Sequence, residues 1–210
     1  MSRERLDAFS EYAMSNQLFE YKRLDQIQHT VCRNCEIEVI DFDRTKEIIT
    51  ERAELSELPK SCDVLKISDS DCAIVLVEMK SFLNFKQWQL ARHERGEHDG
   101  IVRQQIQRFD ISKKFADSLW LLHWIWNQVD RDSYIPAEVI KVVATDIEIH
   151  NERNAEEFIE FTIMYLADES LDADGFIQFR FEEHMDEYFS STQKPALMSS
   201  SQLEDYLRQC

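Results

Sequence analysis

Two short apolar segments separated by a polar turn constrain the fold of this chain more than any other feature of its sequence. The first runs from Cys62 to Ile67 and the second from Ala73 to Lys80, and both are rich in aliphatic and β-branched residues. Serine and aspartate residues fill the connection, which is typical of a turn. The pattern predicts two consecutive strands joined as a β-hairpin.

The alternation along these strands decides which side chains share a face. Glu78 and Lys80 lie two residues apart, so both point to the same side of the second strand. If Leu65 pairs with Leu76, one coherent apolar face is buried and Asp63 falls opposite Glu78. A slip by one residue would send the two carboxylates to opposite faces. The register that builds the core therefore also brings Asp63, Glu78 and Lys80 together.

This cluster has the composition of a metal-dependent hydrolytic site. Two carboxylates about 5 Å apart across a strand pair repel each other unless a cation joins them. Their oxygens suit Mg²⁺, which keeps several waters and accepts a phosphate oxygen. A neighbouring lysine can orient or help to deprotonate a metal-bound water. The residue types therefore predict metal-assisted hydrolysis of a phosphodiester.

Asp63, a spacer of fourteen residues and Glu78-Met79-Lys80 on consecutive strands resemble the signature of the PD-(D/E)XK nuclease superfamily. The resemblance covers about residues 1–150, and Cys62 stands where proline usually precedes the aspartate. It implies a nuclease in which Mg²⁺, or Mn²⁺ as a substitute, is held by Asp63, Glu78 and the Met79 backbone carbonyl. Lys80 would position the attacking water.

The resemblance also implies an α/β fold of the restriction-endonuclease-like type. Its α-β-β-β-α-β core is a mixed central sheet flanked by helices, here followed by extra C-terminal strands and a terminal helix. We expect one nuclease-like domain over residues 1–210, with the core at about 1–150 and an acidic C-terminal extension at about 151–210.

Further site residues are implied on the flanking helices. In similar nucleases a glutamine on the helix after Glu-x-Lys sits near the scissile phosphate, and Gln105, followed by Ile106, matches that pattern. An ordinary helix-surface residue is the alternative for Gln105. The first helix of the family often carries an acid that reaches the metal. Glu11 and Glu20 are the candidates for that acid, and each is alternatively a solvated glutamate.

Hydrophobic periodicity predicts the remaining elements of the N-terminal half. A helix is expected at residues 3–28, a strand at Glu36–Phe42, and a charged helix at Thr45–Leu58 that Pro59 ends. From Ile101 an apolar stripe through Val102, Ile106, Phe109, Ala116 and Trp120 predicts one helix that continues toward Trp126.

The C-terminal half is predicted in the same way. Glu138–Ile149 is a nearly continuous apolar strand of the kind that is covered on both faces. Strands are expected at Phe158–Leu166 and Phe176–Phe181. A terminal helix at Ser199–Arg208 would be capped by Ser201 and Glu204.

The net charge of −17 opposes nucleic-acid binding, but the charge is unevenly distributed. Residues 80–114 hold eight basic and four acidic side chains, whereas residues 146–187 hold fourteen acidic and two basic ones. The segment at 81–100 mixes bases with aromatic residues. Phe82, Phe85, Trp88, Arg92 and Arg95 could contact nucleic acid by stacking and phosphate contacts, or the aromatics could join the core.

The odd number of cysteines, five, favours a reducing compartment, and no apolar run is long enough to span a membrane. We therefore expect a soluble, cytoplasmic protein without a membrane partner. His29, Cys32 and Cys35 suggest a structural zinc site, although no second Cys/His pair completes it at ligand spacing. Ordinary thiols near the start of a strand are the alternative.

Two functions follow from these observations. The first is a Mg²⁺-dependent nuclease that acts on DNA rather than RNA. It would belong to a multi-subunit restriction or antiviral defence assembly whose other subunits help to bind the substrate. A protein partner or a second copy of the chain would then face the acidic region. The second is a nuclease fold that no longer cuts and acts as an acidic protein-interaction module.

Overall fold

A six-stranded mixed sheet flanked by helices carries this α/β fold. The computed structural model describes residues 3–68, 70, 72–130, 138–150 and 173–210. Along the chain the elements are α1 (Arg3–Ser15), β1 (Tyr21–Arg23), β2 (Glu38–Asp41), α2 (Phe42–Arg52), β3 (Val64–Ser68), β4 (Ala73–Lys80), α3 (Leu83–Trp88), α4 (Arg95–Arg108), α5 (Ile111–Val129), β5 (Glu138–Thr145), α6 (Ala173–Tyr188), β6 (Ala196–Ser199) and α7 (Ser200–Gln209).

The strands lie in the sheet in the same order as in the sequence. Strands β1 to β4 are antiparallel neighbours, and β4, β5 and β6 run parallel to one another. Strand β4 is therefore paired on both sides, and seven of its eight residues are buried. The helical segment between β4 and β5 is the crossover that two parallel neighbours require.

The predicted hairpin and its register are confirmed. Leu65 pairs with Leu76 and Ile67 with Ile74, and the ladder ends where Val64 meets Val77. Asp63 lies one residue beyond this ladder rather than inside the predicted strand. The end of β3 thus leaves the Asp63 side chain beside β4 without a strand partner of its own.

Each face of the sheet is covered by its own apolar core, because successive strand residues point to opposite sides. Leu65, Leu76 and Val143 pack with the buried residues of the large helices α1, α4, α5 and α6. On the opposite face Val64, Val75 and Val77 pack with α7 and with the segment before β2. The predicted strands at Glu36–Phe42 and Glu138–Ile149 are present as β2 and β5.

The helices predicted at residues 3–28 and Thr45–Leu58 have the wrong bounds, and the reason is the same for both. Helix α1 ends at Ser15, where Gln17 adopts a left-handed φ of 53° and the Leu18 amide donates to the Ala13 carbonyl. Helix α2 ends at Arg52 in the same motif, with Glu54 left-handed. Glycine usually fills this position, so the sequence carried no visible stop signal. Pro59 does not end α2.

The helix predicted from Ile101 to Trp126 is also two helices. Helix α4 already begins at Arg95, and the chain breaks at Asp110, which is left-handed with φ 52°. The break changes the helical phase, so Ile111 and Phe115 face the core whereas Ala116 and Trp120 are exposed. Helix α4 therefore begins six residues before the predicted start at Ile101.

One of the two strands predicted in the C-terminal region is corrected. Residues Phe176–Phe181 lie within α6 and not in a strand, and the buried Phe181 ring packs 6.0 Å from that of Phe82. The strand predicted at Phe158–Leu166 lies outside the described residues. Within the described part of the chain, no helix is both long and apolar enough to cross a membrane.

The cap of α7 is formed by Ser199 and Gln202, two positions before the predicted residues, Ser201 and Glu204. Each side chain bonds the other residue's backbone amide, as a capping box requires. We predict that Ser199→Ala lowers the free energy of unfolding by about 1 kcal/mol, measured by urea denaturation. The exposed Ser56, which lies outside the helices and strands, is the control, and a Ser56→Ala loss as large as that of Ser199→Ala would contradict this cap assignment.

Candidate active site

A cleft of about 440 Å³ opens beside the C-terminal end of β4. It contains residues from the segment before β3, from β4, and from helices α2, α4 and α5. Its lining consists of His29, Asp43, Lys46, Leu58, Pro59, Lys60, Ser61, Asp63, Lys80, Arg108, Phe109 and Lys114. Five of these twelve residues are lysine or arginine, and two are acidic.

Asp63 lies at the bottom of the cleft and is only 3% exposed. Its Oδ2 accepts a hydrogen bond from the Met79 amide at 2.6 Å, and its backbone carbonyl accepts one from the first residue of α2, Phe42. The neighbouring Cys62 amide donates to the Ser118 hydroxyl of α5. Burial raises the pKa of Asp63, even though the charges of Lys114 and Lys80 lower it.

Glu78 is fully buried on the same side of β4 as the cleft lysine, Lys80. Its Oε1 accepts from Lys114 Nζ at 2.6 Å and from Lys80 Nζ. Its Oε2 has no hydrogen-bond partner among the described residues. Burial, together with the charge of Asp63, raises the pKa of Glu78 to about 7 despite both lysines. Glu78 is therefore a buried carboxylate with one unpaired oxygen, and its two ammonium partners, Lys80 and Lys114, line the cleft.

The raised pKa of Glu78 links folding to pH. The folded protein holds this proton more tightly than the unfolded chain, whose carboxyl titrates near the ordinary 4.5. The resulting stabilisation is present below that value and is lost as the pH rises through about 7. Above that pH the two ammonium groups must compensate the buried negative charge.

Lys114 is the central site residue that the sequence analysis missed. Its Nζ also lies 3.8 Å from Asp63 Oδ1, so a single ammonium contacts both carboxylates. Burial disfavours its charged form, but the charges of Glu78 and Asp63 outweigh burial and raise the pKa of Lys114. The break at Asp110 hid this residue, because a continuous helix from Ile101 gives the wrong phase for Lys114.

The upstream acid of the site is Asp43, and neither predicted glutamate contacts the cleft. Glu11 is exposed on α1, and Glu20 forms ion pairs with Lys22 and Arg44 in a different groove. Asp43 lies in the first turn of α2, accepts from the Ser61 hydroxyl at 2.6 Å, and raises the pKa of Asp63 through its charge.

The structure brings Asp63, Glu78 and Lys80 together as the register required. The Met79 amide points to Asp63. Because the N–H and C=O of one strand residue face the same neighbour, the Met79 carbonyl is directed to that side as well. Gln105 is half-buried on α4 and does not line the cleft, whereas Arg108 and Phe109 at the end of the same helix do.

The basic and aromatic segment at 81–100 is divided between core and surface. Phe82 and Phe85 are buried and pack edge-to-face at 5.9 Å, so they belong to the core. Trp88 is 57% exposed, and the Arg92 guanidinium lies 5.2 Å from its ring. The side chain of Arg95 lies outside the described part.

The residues considered for zinc are in different surroundings. Cys32 and Cys35 are buried in the apolar core beneath α7, and the Cys32 thiol donates to the Ser200 carbonyl. Burial raises the pKa of Cys32 to about 12, so the thiol stays protonated. His29 is exposed and lines the cleft instead. Among the described side chains, no group of three or more His, Cys, Asp or Glu is placed to hold a metal ion.

The site nevertheless offers the donor set that Mg²⁺ uses. Mg²⁺ binds through one or two carboxylates and keeps most of its waters, so a cage of three acids is not required. Asp63, Glu78 and the Met79 carbonyl supply hard oxygen donors. Glu78 Oε2 is a buried acceptor with no hydrogen-bond partner among the described residues. These residues fit the ion.

Comparisons with known proteins find no match: no family model, curated protein or solved structure matches this chain.

Lys114→Met leaves the Glu78 carboxylate with one ammonium partner. We expect the pKa of Glu78 to rise above about 7 and the free energy of unfolding at pH 8 to fall by about 3 kcal/mol. The loss should be smaller at pH 6, where protonated Glu78 no longer requires two cations. Denaturant unfolding at both pH values measures it.

The matched control is Lys113→Met, because Lys113 is 56% exposed and pairs only with Asp117 among the described carboxylates. This variant should stay within about 0.5 kcal/mol of the parent protein. Equal losses for Lys114→Met at both pH values would show that the Glu78 charge is not what Lys114 stabilises.

Proposed function

We propose that this protein is a Mg²⁺-dependent nuclease that hydrolyses phosphodiester bonds of DNA. One observation carries the proposal: Asp63 lines a cleft with five basic side chains, and one of these, Lys114, contacts both Asp63 and the buried Glu78, in a chain whose net charge is −17. A cationic cleft in an acidic protein selects for an anionic ligand. The paired carboxylates beneath it would only repel that anion unless a cation joins them.

The roles of the residues follow from their positions. Mg²⁺ held by Asp63, Glu78 and the Met79 carbonyl would supply Lewis-acid stabilisation of the phosphate and an acidified water. Lys80 Nζ, which contacts Glu78, would donate hydrogen bonds and orient the attacking water. Lys114 Nζ contacts both acids and compensates charge that develops on the phosphate.

The arrangement of the sheet supports a restriction-endonuclease-like fold. Three antiparallel strands, β2 to β4, are followed by helices and by the parallel strand β5, which is the predicted α-β-β-β-α-β order with α1 at its start. The strands that carry Asp63 and Glu78 are the second and third of this core. The α2 helix is inserted after the first, and this insertion contributes Asp43.

The excess of acid outside the cleft bears on how the substrate is held. Affinity for nucleic acid comes mostly from phosphate contacts, and the cleft alone offers few of them. We therefore propose a cytoplasmic enzyme that works with a partner subunit or a second copy, as in restriction and defence assemblies. The choice of DNA rather than RNA as the substrate rests on the family resemblance.

A second candidate function is an acidic protein-interaction module with an inactive nuclease fold. It is favoured by the net charge and by Lys80 and Lys114, whose ion pairs with Glu78 compensate the charge of this buried carboxylate. The two candidates differ in metal binding, since only the enzyme requires a divalent cation at Asp63 and Glu78.

Asp63→Asn and Lys80→Met should each lower Mg²⁺-dependent cleavage of DNA by about 10²-fold or more, because they remove a metal ligand and the water-positioning cation. Cleavage is followed on end-labelled DNA. The control is Lys66→Met, a substitution on β3 at a residue that does not line the cleft, and it should leave the rate unchanged. Full activity of either site variant would overturn the mechanism.

The upstream acid can be tested separately. Asp43→Asn should weaken apparent Mg²⁺ affinity by about 10- to 100-fold, since a carboxylate that orients the site is lost. Glu20→Gln, which changes an acid outside the cleft, should not alter it. The measurement is the Mg²⁺ dependence of the cleavage rate, and an effect confined to Glu20→Gln would show that the acids are wrongly assigned.

A further inference from the structure

We infer that the cleft takes an unpaired strand of nucleic acid, a single strand or a frayed end, rather than an intact blunt duplex. This inference rests on the proposed nuclease function and specifies its substrate class. Three observations support it. The reacting carboxylates are buried, apolar side chains line the cleft, and the segments that carry these apolar side chains are anchored to the rest of the protein.

The reacting carboxylates lie deep in the protein. Asp63 is 3% exposed and Glu78 has no exposed surface, while the Lys80 and Lys114 side chains that contact Glu78 are only 16% and 20% exposed. A phosphate must therefore enter the cleft to approach them. The flexible backbone of an unpaired strand can bend into such a site, whereas a duplex is stiff over this length.

The cleft is not purely polar. Leu58 is 58% exposed and lies next to Pro59, and Phe109 contributes an aromatic ring. Apolar and aromatic surfaces of this kind bind the faces of unstacked bases. In an intact duplex those faces are already stacked on one another, so Leu58 and Phe109 would gain no base contact.

These apolar groups are held on fixed segments. Lys60 Nζ pairs with Asp110 at 2.5 Å, and the Lys60 amide donates to Asp117 at 2.9 Å, which ties the Leu58 segment to the start of α5. The Phe109 ring packs edge-to-face on Phe82 at 5.3 Å. Leu58 is therefore exposed on a segment that is anchored to α5, and not at the tip of a free loop.

Arg108 adds a phosphate contact beside these groups. It is exposed at the end of α4 and lines the cleft, and no ion pair engages it among the described residues. The cleft cations Lys46, Lys60 and Lys114 each bind a carboxylate of the protein. Arg108 is thus the cleft cation with its charge available to a backbone phosphate next to the base held by Leu58 and Phe109.

The test compares a labelled single-stranded oligonucleotide with the blunt duplex of the same sequence. Binding is measured by fluorescence anisotropy with the wild-type protein in Ca²⁺ in place of Mg²⁺, because Ca²⁺ binds carboxylate oxygens in a different geometry and joins the paired acids while cleavage is suppressed. We expect the single strand to bind at least tenfold more tightly. Leu58→Ala should weaken single-strand binding about fivefold, and Arg108→Ala should reduce the salt slope by about 0.7.

The controls are Met14→Ala, an equally exposed apolar residue on α1, and Lys66→Ala, and neither should change the affinity. Equal or tighter binding of the duplex, absence of binding to both, or unchanged binding by both cleft variants would overturn the inference. Circular dichroism shows that each variant is folded.

Cleavage in Mg²⁺ separates this inference from the proposed function. Selective single-strand binding without cleavage of any substrate would leave the inference standing and overturn the nuclease. Cleavage of the blunt duplex in preference to the single strand would support the nuclease and overturn the inference.

Discussion

The site depends on one buried charge. Glu78 is removed from water on a strand that is paired on both sides, and a lone carboxylate there would be protonated or would destabilise the fold. The sequence supplies two ammonium groups, Lys80 from the same strand and Lys114 from α5. Their bonds to one oxygen leave the other oxygen without a hydrogen-bond partner among the described residues.

This charge compensation also explains how the helices are arranged around the site. Helix α5 is held to the segment before β3 by Ser118 and to Glu78 by Lys114, which lie one turn apart on the same helix face. Helix α2 is held to Asp63 through the Phe42 amide. Helix α2, helix α5 and the segment before β3 therefore converge at the N-terminal end of β3. Each brings a polar side chain to the cleft.

The hairpin that carries the site could be predicted from the sequence because its apolar alternation admits one sensible register. The pairing of Leu65 with Leu76, the parallel strand β5 and the proximity of Asp63, Glu78 and Lys80 all follow from that pattern. Strong local hydrophobic periodicity was sufficient for these elements.

The remaining site residues could not be predicted, because they depend on backbone features that the sequence does not mark. Left-handed residues that are not glycine, Gln17, Glu54 and Asp110, end or divide the helices. The break at Asp110 shifts the helical phase and brings Lys114 to the site, whereas Gln105 lies before the break and does not line the cleft. Asp43 was missed because the start of α2 was placed three residues too late, at Thr45 instead of Phe42.

The central claim is that Asp63 and Glu78 hold a divalent cation in the presence of two competing lysines. A crystal structure of the protein soaked in Mn²⁺, with anomalous data collected at the manganese edge, tests it most directly. The account predicts an anomalous peak within bonding distance of both carboxylates and of the Met79 carbonyl. Absence of that peak at saturating Mn²⁺, with Lys80 and Lys114 still bound to Glu78, would contradict it.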